Sequence, residues 1–270
     1  YTRAGAFQRN QNNDLVTISG GQVMGYGVDA SGNVVPGNLI PINIPVGALT
    51  LTQATGNTIL NGNLNASGTV ATTGSVHSSR TFYTDAALTT PLATDTFDLT
   101  VAGNDLYIDD GAGGSSLAIQ GGAGTILTIS GVEKGGKDLG THSFAFSAAP
   151  VAGVDQNGAT LTDYMAFLKS SLGLDNSTIG GESLGGDVTF AGGVITVTGN
   201  EGTVQDLDLQ TSNITATNNG AGISQPFVMS KTGAADGESV RTSMVVYDSL
   251  GTPVTVTVDG VVQASDVNTL

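Results

Sequence analysis

The sequence predicts a mainly β, multi-domain protein: a β-rich base region interrupted by an inserted α+β domain that carries one clear helix. Three observations predict it. Forty glycines stand against seven prolines, with hydrophobic residues at 39% and charged residues at 11%, a turn-rich composition unlike that of a charge-rich disordered polymer. Short β-branched runs bounded by Gly, Asn or Pro recur along most of the chain. One stretch near residue 160 switches to helical spacing before the strand signal returns. The length, 270 residues, suits one large β domain or two ordinary ones and is ample for a buried core.

The first element is an irregular β unit over residues 1 to about 65, in which "DLVTISGG", "QVMGYGVDASGN" and "LIPINIPVG" each end in turn residues. Pro41 and Pro45 donate no backbone hydrogen bond, so the run between them belongs on a sheet edge. The chain opens at Tyr1 inside a strand-like pattern, and a fragment of a longer protein is expected.

From about Thr69 the composition shifts to Thr, Ala, Gly and Ser, and new strand signals begin after Thr81. "TFDLTVAGNDLYIDDG" reads as two strands, Leu99 and Val101 alternating against Leu106 and Ile108 across an Ala-Gly-Asn turn. In "TLTDYMAFLKSSLGL", Leu161, Tyr164, Met165, Leu168 and Leu172 share one helical face. Thr160 or Thr162 is the N-cap there and Gly173 the stop, and the stripe is expected to pack on a sheet. "DVTFAGGVITVTG" is a hairpin: a Gly192-Gly193 turn sets Phe190 opposite Ile195 and Val188 opposite Val197 on one face, with Thr189 and Thr196 on the other.

After a linker-like "TNNGAGIS", dense strand signal resumes. Val245 and Tyr247 share one side of a strand, and Val254, Val256 and Val258 share one side of the next. Asp248, Ser249, Leu250 and Gly251 reverse the chain between them. The expected division is therefore base region 1–75, inserted α+β domain 76–221 with its helix near 160–172, and a return to the base over 222–270 with a β-hairpin at 239–258.

Eight Lys and Arg face 23 Asp and Glu, a formal charge of −15, which disfavours electrostatic binding to nucleic acid or anionic lipid. No apolar run approaches the ~20 residues of a membrane-spanning helix. With no cysteine there is no disulfide, thiolate zinc site or cysteine nucleophile, a pattern that fits a protein exported or assembled outside the cell.

Residues fit for chemistry are few. His77 and His142, the two histidines, sit in Ser- and Thr-rich settings without a nearby acid to orient them, and read as incidental. "GESLG" matches the Gly-x-Ser-x-Gly elbow with Ser183 as nucleophile, but a Gly-Gly loop precedes it and a strand follows, the reverse of an elbow's strand-to-helix setting. Asp105, Asp109 and Asp110 beside glycines raise calcium, yet the ligand spacing of an EF-hand loop is missing, and solvated hairpin ends are the preferred reading. Asp85, Asp95 and Asp98 read as solvated. No catalytic, cofactor-binding or metal site is assigned.

The two ends of the chain carry a family resemblance. "YTRAGAF" and "DLVTISGGQVMGY", followed by "LIPINIP" and "NGNLNA", resemble the opening of the middle region of bacterial flagellar rod and hook (axial) proteins. "TSMVVYDSLGTPVTVTV" is similar to the hairpin that separates the hook branch from the shorter rod proteins. The helix "TLTDYMAFLKSSLGL" and the segment "GGVITVTGNEGTVQDLDL" look like modules in the enlarged outer domains of some members. The resemblance implies a structural, non-enzymatic subunit, without cofactor or metal, that is exported by the flagellar type III system. Its copies polymerise helically into a flexible curved tube, a universal joint passing motor torque to the filament. It also implies partners: further copies of the chain, distal rod and hook–filament junction proteins, and the hook cap during assembly. The terminal helices of family members are not expected in this chain, which alone is then a soluble monomer. From a different class, the alternative is a bacterial surface or adhesin-like β module, possibly calcium-binding.

Overall fold

The computed structural model describes residues 5–28, 34–44, 53–61, 68–122, 124–179, 181–218, 221–223 and 226–263. The protein is mainly β with a single α-helix among these residues, the class the composition and turn punctuation predict. It divides into two compact units: unit 1 is Tyr1–Thr58 with Val246–Val254, and unit 2 is Ile59–Val245 with Thr255–Leu270.

In unit 1, β1 (Phe7–Arg9) pairs antiparallel with β2 (Leu15–Thr17), and β3 (Met24–Val28) with β4 (Val34–Pro41). Pro41 closes its strand in a sheet of only two, where every strand is an edge; Pro45 lies outside the described residues. Beyond Pro41 the chain returns to β2, with Leu15 donating to Ile42 and Ile44 to Asn13, while the amide of Asn43 reaches the Asp14 carboxylate at 2.8 Å. None of the described residues of unit 1 is buried.

Unit 2 contains β5 (Gly74–Ser79), β6 (Leu106–Asp109), β7 (Ser115–Ile119), β8 (Ile126–Ile129), β9 (Glu133–Lys134), β10 (Lys137–Asp138), β11 (His142–Phe146), β12 (Gln156–Gly158), α1 (Leu161–Ser171), β13 (Thr178–Ile179) and β14 (Glu182–Ser183). It continues with β15 (Asp187–Ala191), β16 (Val194–Glu201), β17 (Leu207–Asp208), β18 (Ile214–Asn218), β19 (Ala221–Ile223) and β20 (Met229–Gly233). Two sheets dominate, a five-stranded one in the order β12-β11-β8-β18-β19 and a four-stranded one in the order β15-β16-β5-β20. A single apolar core joins them to α1 and to the β6–β7 hairpin. Its centre is aromatic: Tyr164 lies 5.4 Å from Phe144 and 5.3 Å from Phe227, and Phe227 meets Phe82 edge-on at 5.0 Å.

The helix forms as its sequence dictates. Thr160 caps it by accepting from the Asp163 amide, the Asp163 carboxylate reaches back to the Thr160 amide, and Leu172 and Gly173 end it. Leu161, Tyr164, Met165 and Leu168 are buried as the spacing predicts, and Phe167 joins them. The β15–β16 hairpin has the expected register, Phe190 opposite Ile195, Val188 opposite Val197 and Thr189 opposite Thr196. Both turn glycines have positive φ, 57° and 82°.

The expected strand at Leu99 and Val101 does not form. Asp98 instead folds back on Thr100, accepting from its amide and its hydroxyl, and its carbonyl takes the Asn104 amide. Leu99 is buried at the centre of this turn structure, so its apolar character reflects the core and not a ladder. The strand that Leu106 and Ile108 do form pairs with β7.

The terminal hairpin is β21 (Ser239–Tyr247) and β22 (Pro253–Val261), three residues longer than the 239–258 expected. Asp248 closes it: its backbone amide donates to Thr252, and its carboxylate accepts from the Leu250 and Thr252 amides at 2.8 Å. The root of the hairpin belongs to unit 2 and its tip to unit 1. The division thus falls nearer the hairpin tip than the expected boundaries at 75/76 and 221/222. In particular β20, placed by sequence in the return to the base, is hydrogen-bonded to β5 as an edge of the four-stranded sheet.

Candidate functional site

The densest polar constellation among the described residues lies at the root of the terminal hairpin, within unit 2. It begins where the chain enters and leaves the two-sheet body. Residues 69–73 run beside 236–238: Glu238 donates to the Thr69 carbonyl at 2.8 Å and Asp236 to that of Thr73 at 3.1 Å. The Asp236 carboxylate accepts from the Thr72 hydroxyl and amide and from the Thr73 amide, which hold its pKa down at about 2. Gly237 between these bonds has φ +84°, and a Cβ there would lie 2.3 Å from Cα of Ala71, so only glycine fits the close approach.

One step further, the bonds from Asp248 to Thr252 and from Val262 to Glu238 mark a constant hairpin register in which Arg241 faces Asp259. Their ion pair is bidentate, Nε to Oδ1 at 2.7 Å and Nη2 to Oδ2 at 3.0 Å, with side chains 22% and 18% exposed. The rest of the guanidinium points into the body. Nη1 donates to the carbonyls of Lys134 (2.9 Å) and Gly135 (3.1 Å) in the β9–β10 turn, and Nη2 to that of Val204 (2.6 Å) in the 3₁₀ turn Thr203–Gln205. Counting Nε and the two nitrogens' bonds to Asp259 and the carbonyls, all five guanidinium donors are engaged. The pair raises the Arg241 pKa and lowers that of Asp259, so both stay charged.

Neighbouring groups complete the root. Ser239 Oγ accepts from the Val204 amide at 2.8 Å, and Gln205 donates to Asp259. Lys134 donates to the carbonyl of Gly173 at 2.7 Å, just beyond the end of α1 where a cation suits the helix dipole. Burial lowers the Lys134 pKa, Arg241 adds to the effect, and Asp259 and Asp175 oppose it. Gly135 has φ +55°, and a Cβ there would meet the Val204 carbonyl at 2.0 Å, so this glycine sets how close the two acceptor turns approach. The arrangement is chemically a fastening: a planar fork, a matched carboxylate and backbone carbonyls, with no activated nucleophile and no paired acid and base.

The residues singled out by sequence stand elsewhere and apart. His77 is fully buried in β5, Nε2 facing the Leu209 amide at 3.4 Å while Nδ1 has no partner. Burial lowers its pKa, Lys231 pushes the same way, and Asp206 and Asp208 oppose. His142, in β11, bonds the Leu139 carbonyl. Ser183 is exposed in the two-residue strand β14, its hydroxyl accepting from Gly185, with β15 next in the chain and no helix. Asp105 accepts from Gly121, Asp109 from Gly111, and Asp110 from Ala112 and Gly114. Asp85 accepts from Thr89 and Thr90, Asp98 from Thr100, and the Asp95 carbonyl from Thr162. Among the described residues, no three His, Asp or Glu side chains converge as they would around a metal ion. Comparison with protein-family models, curated proteins and solved structures finds no match.

Proposed function

We propose that this chain is the outer part of a hook-type structural subunit of the bacterial flagellum, exported through the flagellar type III system and assembled outside the cell. The observation that carries the reading is the discontinuity of unit 1: the opening stretch and the hairpin tip fall in one compact unit, although residues Ile59–Val245 of unit 2 separate them in sequence. Within unit 1 the join is concrete. The Thr55 amide donates to the Tyr247 carbonyl at 2.9 Å, and the Tyr247 amide to the Thr55 hydroxyl at 2.9 Å. Thr55 stands between the "LIPINIP" and "NGNLNA" motifs and Tyr247 within "TSMVVYDSLGTPVTVTV", so the bond pair links the two ends of the chain whose motifs resemble axial proteins. The antiparallel pairing of residues 69–73 with 236–238, at the base of the two-sheet body within unit 2, supports an insertion in the same way, since an inserted body has its entry and exit side by side.

On this reading the role is mechanical. Copies repeat by open, head-to-tail contacts into a helical tube, with the distal rod and junction proteins at its ends and a cap during growth. Exposed apolar side chains such as Tyr26, Leu39, Ile40 and Leu250 in unit 1 supply surface that such contacts would cover. The test is antibody labelling. Gold-labelled antibody against this chain should decorate the short curved segment between basal body and filament on isolated flagella. Even labelling of the cell envelope, or binding lost with a calcium chelator, would favour the adhesin-like alternative and overturn the proposal.

A further inference from the structure

We propose that the Arg241 fork is a latch: the root of the terminal hairpin, residues 239–245 with 255–261, detaches from the body of unit 2 and re-docks as one cooperative piece while the core of unit 2 stays folded. The inference concerns the fastening alone and stands with or without the assembly proposed above.

Three observations lead to it. None of residues 239–261 is buried, and none contributes to the apolar core. The hairpin is a sheet of two strands and shares no ladder with either large sheet, and an isolated two-stranded ribbon is only marginally stable in water. What ties its root to the body of unit 2 is mainly polar: Arg241 to three carbonyls, Ser239 to the Val204 amide and the Thr203 hydroxyl, Gln205 to Asp259, Lys137 to the Thr257 hydroxyl at 3.2 Å, and, just past the strand end, the Ala71 amide to the Val262 carbonyl at 2.7 Å, with the Val261 side chain against Gly202. Among these Arg241 holds the most bonds, and it alone joins both strands of the hairpin to both acceptor turns. Elements with few apolar contacts and a polar attachment open at lower free energy than the core they rest on. A lysine cannot replace the fork, because an ammonium is a point donor and cannot span a carboxylate and three carbonyls in one plane.

Native-state hydrogen exchange read by mass spectrometry tests the proposal on the whole chain. In the unaltered protein, amides of residues 242–245 and 255–258 should exchange at least about tenfold faster than those of β8, β16 and α1, because a weakly attached element opens at lower free energy than the core. Arg241→Ala should speed hairpin exchange by a further factor of about ten or more and leave the core within about twofold, and Arg241→Lys should recover little of the protection. Asp259→Asn, which leaves the carbonyl bonds available, should have a smaller effect than Arg241→Ala. Hairpin and core exchanging together in the unaltered protein would overturn the proposal without any variant. So would unchanged hairpin exchange in Arg241→Ala, or unfolding of the core by that substitution.

Discussion

Unit 1 and unit 2 are built from similar material and use it in opposite ways. Unit 2 turns its Phe, Tyr, Leu and Ile side chains inward: Phe82, Leu99, Phe144, Tyr164 and Val197 are each fully buried in one cluster. Unit 1 holds Tyr26, Val34, Leu39 and Ile40 on two-stranded ladders where each is at least half exposed. Burial of such side chains stabilises by ~1.5–3 kcal/mol apiece, and the described ladders of unit 1 leave that contribution unused. The difference teaches that strand pattern alone does not make a core. A ladder becomes an interior only when a second layer covers it, and unit 2 has that layer in α1 and the opposing sheet.

The sharpest way to break the comparison is to truncate one large side chain on each side of it. Phe144→Ala, removing a ring that touches Phe146, Tyr164 and Phe167, should cost about 3–5 kcal/mol. Ile40→Ala should change stability by less than about 0.5 kcal/mol. Urea unfolding followed by circular dichroism gives both numbers. Comparable losses would mean that unit 1 has an interior after all.

The next effect is at the neck of unit 2. Gly237→Ala puts a methyl against Ala71 in a left-handed backbone conformation, and a loss of roughly 3 kcal/mol is expected. A loss below about 1 kcal/mol would show that the neck relaxes freely and that its close approach is incidental. A smaller change tests the helix that covers the sheet: Thr160→Ala removes the capping box and should cost about 1 kcal/mol, with helix content by circular dichroism preserved at low temperature. No loss would mean that packing alone fixes the start of α1.

How much of this was legible depends on whether the deciding contacts are local. The β15–β16 register follows from two adjacent glycines, and α1 from a five-residue stripe flanked by Thr160 and Gly173, so both are readable in a window of about 15 residues. Phe167 falls off the narrow stripe and is buried only because a second surface faces it. Leu99 was misread because its turn depends on Asp98 and Asn104 closing around it, and an apolar residue inside a turn has the same pattern as one on a strand. The root of the hairpin was missed, although half of it was within reach: counting outward from the Asp248 turn sets Arg241 opposite Asp259. The other half, the carbonyls of Lys134, Gly135 and Val204, comes from chain more than 30 residues away and leaves no sequence signal.

The smallest expected effect separates the units by pH, because it amounts to less than one proton. His77 is buried in the four-stranded sheet, and its folded pKa lies below the ordinary 6.5, chiefly through burial. The unfolded chain therefore takes up a proton first as pH falls. Stability is unaffected above the unfolded value and declines as pH drops below 6.5 toward the folded one. Protonation would also convert the Nε2 that faces the Leu209 amide into a donor, setting two N–H groups against each other, with Lys231 close by. The depressed carboxylates Asp236, Asp248 and Asp259 lose their contribution below the usual 3.8, so the interval between the two values isolates the imidazole. Urea midpoints should fall in the unaltered protein as pH drops from 6.5 toward the folded value and stay level there in His77→Gln, which retains an acceptor and cannot titrate. The described part of unit 1 contains no histidine, so exchange of its ladder amides, corrected for intrinsic rates, should show no matching step. A level midpoint in the unaltered protein would mean that the imidazole takes up its proton without leaving the sheet.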